Sequence, residues 1–125
     1  MFPRIVVMNH SAPFLCRIQR RMKIEPFDLY LYHQSEDSII EIVQNVPAVI
    51  VLARRYGYPK SDEQFIRWFH GHHDLKDVPL VLSLLVGMTV PAERAGVTVV
   101  VSQPDFSDLD DIVTVVHRIL ADDSA

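Results

Sequence analysis

Residues that could do chemistry follow four short apolar runs of the chain. These positions are Asn9 and His10, then Ala53, Arg54 and Arg55, then Ser83, and last Ser102, Gln103 and Pro104. His10 titrates near physiological pH, and with Arg54 and Arg55 close by it would form a site for an anion. The alternative, which we favour, is a hydrogen-bonded structural histidine with two solvated arginines.

A second candidate group lies in the sequence His70-Gly71-His72-His73-Asp74. Imidazole and carboxylate groups are ligands that Zn²⁺ or Ni²⁺ accepts, but this spacing matches no established metal motif. We therefore favour a solvent-exposed loop. The single cysteine, Cys16, supplies neither an intrachain disulfide nor a multi-thiolate site, which suits a reducing compartment. We expect Cys16 to be a buried or half-buried thiol without a role.

The segments that must position these residues alternate between strand and helix patterns. Apolar runs rich in β-branched residues predict four buried strands, at 5–8, 49–52, 80–82 and 97–101. In the stretch 27–32, Phe27, Leu29 and Leu31 share one face while Asp28 and two tyrosines share the other. This alternation predicts a strand at the edge of the sheet.

Stretches with a 3.6-residue period predict the helices that cover this sheet. Their expected apolar faces are Phe14, Ile18 and Met22; Ile39, Ile40, Val43 and Val46; Phe65, Ile66, Trp68 and Phe69; and Leu109, Ile112, Val113, Val116, Ile119 and Leu120. Between 85 and 94 the pattern fails, because glycine and proline disfavour a regular helix. We expect a three-layer α/β domain over 1–121, with a doubly wound five-stranded parallel sheet and a disordered tail at 122–125.

Composition and charge limit the classes of function. The chain has 125 residues, 49% of them hydrophobic and 22% charged, which fits one globular domain. A net charge of −4 provides no general attraction to nucleic acid. No apolar stretch reaches the roughly 20 residues of a membrane span, and the first run is too short for a signal peptide. We expect a cytoplasmic protein that binds neither nucleic acid nor membrane.

Three stretches resemble motifs of the receiver domain of two-component response regulators. Residues 95–104, followed by Phe106 and an acidic helix start, resemble the family's alanine-glycine turn, fifth strand, lysine-proline pair and fifth helix. Residues 47–52 resemble the third strand, and 77–83 resemble the fourth strand with its terminal hydroxyl residue. The resemblance spans essentially the whole chain. It implies the flavodoxin-like receiver fold, with strand order 2-1-3-4-5, a shortened or irregular fourth helix, and a cis bond between Gln103 and Pro104.

The resemblance also indicates which chemistry the chain lacks. An active receiver accepts a phosphoryl group on an aspartate after the third strand, where Mg²⁺ is held by that aspartate and by an acidic pair after the first strand. Here Ala53 stands at the acceptor position, and Asn9 and His10 replace the acidic pair. A methyl group cannot attack phosphorus, and an amide with an imidazole is a poor substitute for anionic oxygen ligands. We therefore expect neither phosphoryl transfer nor bound Mg²⁺ at this site, and no other cofactor.

Further family positions are also altered. Ser83 keeps the hydroxyl, but Gln103 replaces the lysine that would pair with phosphate, and Val100 stands at the aromatic switch position. We interpret the chain as a pseudo-receiver of a bacterial-type two-component phosphorelay, acting without phosphorylation through a signalling protein partner or a fused output domain. The alternative is an anion or small-ligand sensor that uses the degenerate pocket around His10, Arg54, Ser83 and Gln103. An enzyme is the weakest interpretation, because no nucleophile with an adjacent base is visible.

Charge is unevenly distributed along the chain. Residues 1–23 contain five basic residues and no acidic one, whereas 104–125 contain six aspartates and one arginine. Either the first helix is a docking face, or the first and last helices, which are neighbours in the receiver fold, complement each other; we favour the second. A homodimer, if one forms, is expected to use the last or the first helix, because the fourth connection is short and broken by Pro91.

Overall fold

The structure is a computed structural model of the chain, and it describes residues 2–9, 12–33, 36–55, 67, 69–85, 97–102 and 109–124. Within these ranges the strands are β1 (Arg4–Asn9), β2 (Asp28–His33), β3 (Val49–Arg55), β4 (Leu80–Leu85) and β5 (Val97–Ser102). The helices are α1 (Ala12–Met22), α2 (Glu36–Gln44) and α3 (Leu109–Ser124). Helix and strand alternate from β1 to β3, as the periodicity predicts, while the connections from β3 to β4 and from β4 to β5 include residues outside the described ranges.

The five strands form one parallel sheet in the order β2-β1-β3-β4-β5. This order confirms the predicted doubly wound sheet and places β2 at its edge, as the alternation in 27–32 predicts. The strands run past their predicted bounds, β3 to Arg55 and β4 to Leu85. This extension has a simple cause, since a sheet ladder is built from backbone groups and does not depend on apolar side chains.

Both faces of the sheet are covered, because successive side chains of a strand point to opposite sides. The α1-side core lies under α1 and α3 and contains the buried residues Ile5, Val7, Ile18, Met22, Phe27, Val49, Val51, Val81, Val100, Ile112, Val113 and Val116. The α2-side core contains the buried residues Val6, Met8, Ile42, Ile50, Leu52, Phe69, Leu75, Val78, Leu80 and Leu82. The sheet is therefore the middle layer of three.

The predicted apolar faces of the helices are confirmed for α3 and, as far as its described side chains go, for α1. The prediction for α2 is wrong at two positions, because Ile40 is 61% and Val46 is 46% exposed. The helix ends at Gln44, so Val46 lies outside it, and among the described side chains of α2 the buried one is Ile42. Cys16 is also exposed, contrary to expectation, because α1 turns the side that carries Ile18 toward the sheet.

Helix α3 continues past Ala121 to Ser124, into the stretch expected to be a disordered tail. The reason is cooperativity, since a helix anchored by packed side chains adds further turns at little cost. The domain boundary itself stays a prediction. The expected irregular fourth helix, the cis bond between Gln103 and Pro104, and the contacts of Trp68 lie outside the described residues. No helix in the described ranges is long and apolar enough to cross a membrane.

Candidate functional site

The carboxyl ends of three neighbouring strands bring candidate residues to one level of the sheet. Leu52 of β3 pairs with Met8 of β1 and with Leu82 of β4. The next residue of each strand is Asn9, Ala53 and Ser83, respectively. We call these three residues the carboxyl-end row. In parallel α/β sheets ligands bind at this edge, so the row is the candidate site.

Two further strands extend the row on either side. Asn9 pairs with His33 at the end of β2, and Ser83 pairs with Val100 of β5. Ser83 is completely buried and is the buried polar side chain among the described residues, while Val100 packs into the α1-side core. The position that the resemblance assigns to the switch residue is therefore a sheet neighbour of the retained hydroxyl. The sequence motifs, taken one at a time, do not predict this pairing.

Strand β3 is irregular where the acceptor would stand. Its register against β4 runs from Leu52 paired with Leu82 to Arg55 paired with Leu84. Strand β3 therefore carries one extra residue within the stretch that holds Ala53 and Arg54. A bulge of this kind bends a strand and changes the direction of its side chains, and bulges are common beside functional sites.

The residues of the carboxyl-end row do not fit Mg²⁺. Asn9 offers a neutral amide, Ala53 offers no donor atom, and Ser83 offers a hydroxyl, whereas Mg²⁺ in proteins is bound through carboxylates. Arg54 and Arg55 follow Ala53 in β3, so the sequence carries two positive charges at the end of this strand. His10, Gln103 and Pro104 lie outside the described residues, so the anion pocket predicted with them stays a prediction.

The histidine-rich segment forms a series of turns after the helical residues Phe69 and His70. Leu75 anchors these turns in the α2-side core, while His73 and Asp74 are exposed. Among the described residues, the buried Nε2 atom of His70 has no hydrogen-bond partner. In the part of the chain that the structure describes, no three histidine, cysteine or acidic side chains are grouped so that they could hold a metal ion.

A charged network joins α1, the turn before β2, and α3. The Arg21 guanidinium donates from Nε to Oδ1 of Asp110 at 2.5 Å and from Nη1 to Oε1 of Glu25 at 2.9 Å. The other carboxylate oxygen of Glu25 lies 2.9 Å from Nε2 of His117, whose ring packs against Phe27. For Arg21 this confirms the interpretation that the first and last helices complement each other in charge.

The network changes the ionisation of its members. Hydrogen bonds from Arg21 and then from His117 hold the pKa of the Glu25 carboxyl below its usual value. The hydrogen bonds to Asp110 and Glu25 raise the pKa of Arg21. Glu25 and His117 escaped the sequence analysis, because they lie 92 positions apart and only the fold brings them together.

A groove of about 500 Å³ lies beside the network, between α1 and the edge strand β2. We call it the edge groove, and its lining includes Arg20, Met22, Lys23, Phe27, Leu29 and Leu31. The sequence analysis missed it as a site, although it noted both the basic character of α1 and the apolar face of β2. The groove arises only where these two surfaces meet.

Two solved structures are similar to the chain over nearly its whole length. One is a crystal structure from Chloroflexus aurantiacus J-10-fl assigned as a response regulator, with a TM-score of 0.63 and 16% identity, covering 97% of this chain and 99% of that one. The other is the N-terminal domain of a response regulator receiver protein from Methanoculleus marisnigri JR1, with a TM-score of 0.63 and 12% identity, covering 90% and 94%.

No protein-family model matches the chain, and no curated protein matches it. At identities of 16% and 12% the structural similarity establishes the fold and nothing finer. The chain therefore has the receiver fold that its motifs predict.

Proposed function

We propose that this chain is a receiver-like regulatory domain of a two-component signalling system, acting without phosphorylation by binding a protein partner. The observation that carries the proposal is the carboxyl-end row. Where the resemblance places an acidic residue, an acceptor aspartate and a hydroxyl, the three neighbouring strands supply Asn9, Ala53 and Ser83. The fold is that of a receiver, and the acceptor position holds no nucleophile for phosphoryl transfer.

The loss is chemical rather than structural. Phosphoryl transfer needs an attacking oxygen, and the methyl group of Ala53 has no lone pair to donate. It also needs a cation that offsets the repulsion between the phosphate and a carboxylate. The strands below the row remain fully packed, since Val51, Leu52 and Val81 are at most 1% exposed. A rigid domain without a covalent switch is suited to binding, either to a signalling protein or to a fused output domain.

Exposure to a phosphodonor tests the proposal directly. The wild-type chain, incubated with acetyl phosphate and Mg²⁺, is expected to gain no phosphate by intact-mass spectrometry, while an active receiver run in parallel does. Ala53→Asp alone is expected to stay unmodified, because the Mg²⁺ ligands are still missing. Asn9→Asp, His10→Asp, Ala53→Asp and Gln103→Lys combined are expected to restore modification. A stoichiometric, hydroxylamine-labile adduct on the wild type would overturn the proposal.

Ligand binding separates this proposal from the sensor alternative. A ligand that binds only the folded state raises the melting temperature in proportion to the logarithm of its concentration. We expect inorganic phosphate and nucleotides to leave the melting temperature of the wild type unchanged. A saturable increase that Arg54→Ala abolishes would favour the sensor. The cytoplasmic location and the bacterial type of the pathway stay predictions from the sequence.

A further inference from the structure

The edge groove combines an apolar floor with a basic rim. Its floor includes Phe27, Leu29 and Leu31, which pack against the α1-side core, and its rim carries Arg20 and Lys23. The two leucines are only partly buried although they belong to a strand. Apolar surface in a groove with charged edges is typical of a binding surface for a polypeptide.

The strand beside the groove has an open edge. Among the described residues β2 pairs with β1 alone and is the last strand of the sheet. The N–H of Asp28 points toward β1, since it donates to the carbonyl oxygen of Pro3 at 2.8 Å. Because backbone direction alternates along a strand, the N–H and C=O groups of Leu29 and Leu31 point away from β1. They can pair with one more strand.

The positive charges at the end of α1 and in the turn that follows it lie on two surfaces. Arg21 is engaged by Glu25 and Asp110, so charge complementarity between α1 and α3 accounts for this residue. Arg20 and Lys23 are exposed and form no ion pair within the described part of the chain. In a protein with net charge −4, these two cations mark a local basic site beside an open strand.

We propose that the edge groove binds an extended acidic segment of a protein partner, which adds to β2 as a sixth strand. Alternate side chains of that segment lie over Leu29 and Leu31, and its carboxylates pair with Arg20 and Lys23. The proposal deepens the proposed function by naming the surface and the chemistry of the partner, and it rests on that function for the role of binding. Strand addition of this kind takes affinity from main-chain hydrogen bonds and specificity from alternate side chains.

A peptide fits these features better than other polyanions do. Two cations provide little of the electrostatic attraction that nucleic acid requires. An anionic lipid surface or a nucleic acid would also leave the outward N–H and C=O groups of Leu29 and Leu31 unused. An extended polypeptide uses the apolar floor, the basic rim and the open backbone together.

The first experiment uses the wild-type chain and a labelled peptide of about seven residues, within the usual length of a strand. It has aspartate at both ends, two valines at alternate positions between them, and threonine at the positions that face the other way, so that aspartates and valines share one face. Fluorescence anisotropy is expected to show saturable binding that weakens as salt is added. A matched peptide with lysine in place of aspartate is expected not to bind. Two N-methylated versions, blocked at odd or at even positions, test the backbone: one is expected to lose binding and the other to keep it.

The second experiment changes the rim. Arg20→Glu with Lys23→Glu is expected to weaken binding of the aspartate-valine peptide by about tenfold or more, because two attractive pairs become repulsive. The matched control is Lys76→Glu with Arg118→Glu, which makes the same change in net charge at exposed positions outside the groove and is expected to leave binding unchanged. Far-UV circular dichroism verifies that both variants are folded.

Several outcomes overturn the proposal. Equal binding of the lysine peptide, or equal loss in the control variant, would show non-specific attraction. Binding that survives both N-methylation patterns would exclude strand addition. Displacement of the peptide by an equally charged polyphosphate would show recognition of charge alone. Dimerisation of the wild type that Arg20→Glu and Lys23→Glu abolish, without peptide binding, would assign the groove to a second copy. None of these results bears on phosphodonor inertness, so the proposed function is tested separately.

Discussion

Glu25 shows how a single side chain connects distant parts of this molecule. Its two carboxylate oxygens face Arg21 of α1 and His117 of α3, each at 2.9 Å. The carboxylate precedes β2 and thereby ties the edge strand to both helices on one side of the sheet. Exposed ion pairs usually contribute little individually, but a carboxylate with two partners loses less entropy for each contact.

The network makes the free energy of unfolding depend on pH. Arg21, followed by His117, holds the folded-state pKa of Glu25 below its usual value. Between the folded-state and unfolded-state pKa values of Glu25, the unfolded chain therefore binds more protons than the folded chain. The stabilisation by Glu25 is therefore present above about pH 4.3 and is lost as the pH falls through the folded-state pKa. Urea midpoints of the wild type and Glu25→Gln are expected to differ at neutral pH and to converge in acid.

The control for this measurement is Glu41→Gln at an exposed position of α2, which removes one carboxylate outside the network and so gives the effect of losing one negative charge. A difference between the wild type and Glu25→Gln that stays constant from neutral to acidic pH would contradict the assigned role of the carboxylate.

At the scale of elements, α3 depends on its buried face for its position. Ile112, Val113 and Val116 lie in the α1-side core, while Asp110 and His117 connect the helix to α1 and to the turn before β2. The packed face provides most of the stability, because helical stability in proteins comes mainly from tertiary packing. The charged contacts then fix which part of α1 the helix meets.

This division predicts unequal effects of two substitutions within one turn of α3. Ile112→Ala removes a completely buried side chain and is expected to lower the free energy of unfolding by about 2–5 kcal/mol. Thr114→Ala removes an exposed hydroxyl that bonds to the carbonyl of Asp110 in the same helix, and a change within about 0.5 kcal/mol is expected. Denaturant unfolding measures both, and similar losses would show that the assigned face of α3 is wrong.

The whole molecule joins two cores through one sheet. Strands β1, β3 and β4 contribute buried side chains to both cores, and β5 contributes Val100 to the α1-side core. Both cores pack against the same sheet, so neither can persist when the sheet unfolds. The two cores are therefore expected to unfold together. A chain of 125 residues is also in the size range where two-state unfolding is usual.

We therefore expect coincident transitions from two probes. Far-UV circular dichroism follows all helices and strands, while the fluorescence of Trp68, the single tryptophan, reports on the local environment of that side chain. In the sequence, Trp68 is next to Phe69, which is buried. The normalised urea curves are expected to superimpose, in the wild type and in Ile112→Ala alike. Separate midpoints would contradict two-state unfolding.

Sequence alone determined the strands and the layers of this protein, and it supplies the residues on which the proposed loss of phosphoryl chemistry rests. Runs of β-branched residues mark β1, β3, β4 and β5, and a 3.6-residue period marks α1 and α3, because backbone periodicity is a local property. The identity of Ala53 excludes a phosphoacceptor at that position without reference to any neighbour. The motifs likewise predicted the strand order that the structure confirms.

Only the tertiary structure decided which residues meet. Whether Ala53 lies at the same height in the sheet as Asn9 and Ser83 depends on the strand registers, which the spacing of the motifs does not specify. The burial of Ile42 instead of Ile40 follows from how α2 lies on the sheet, although both positions are apolar. The Glu25 network and the edge groove are built from segments far apart in the chain. Such contacts have no local signature, because they depend on the relative placement of elements and not on the period of any one of them.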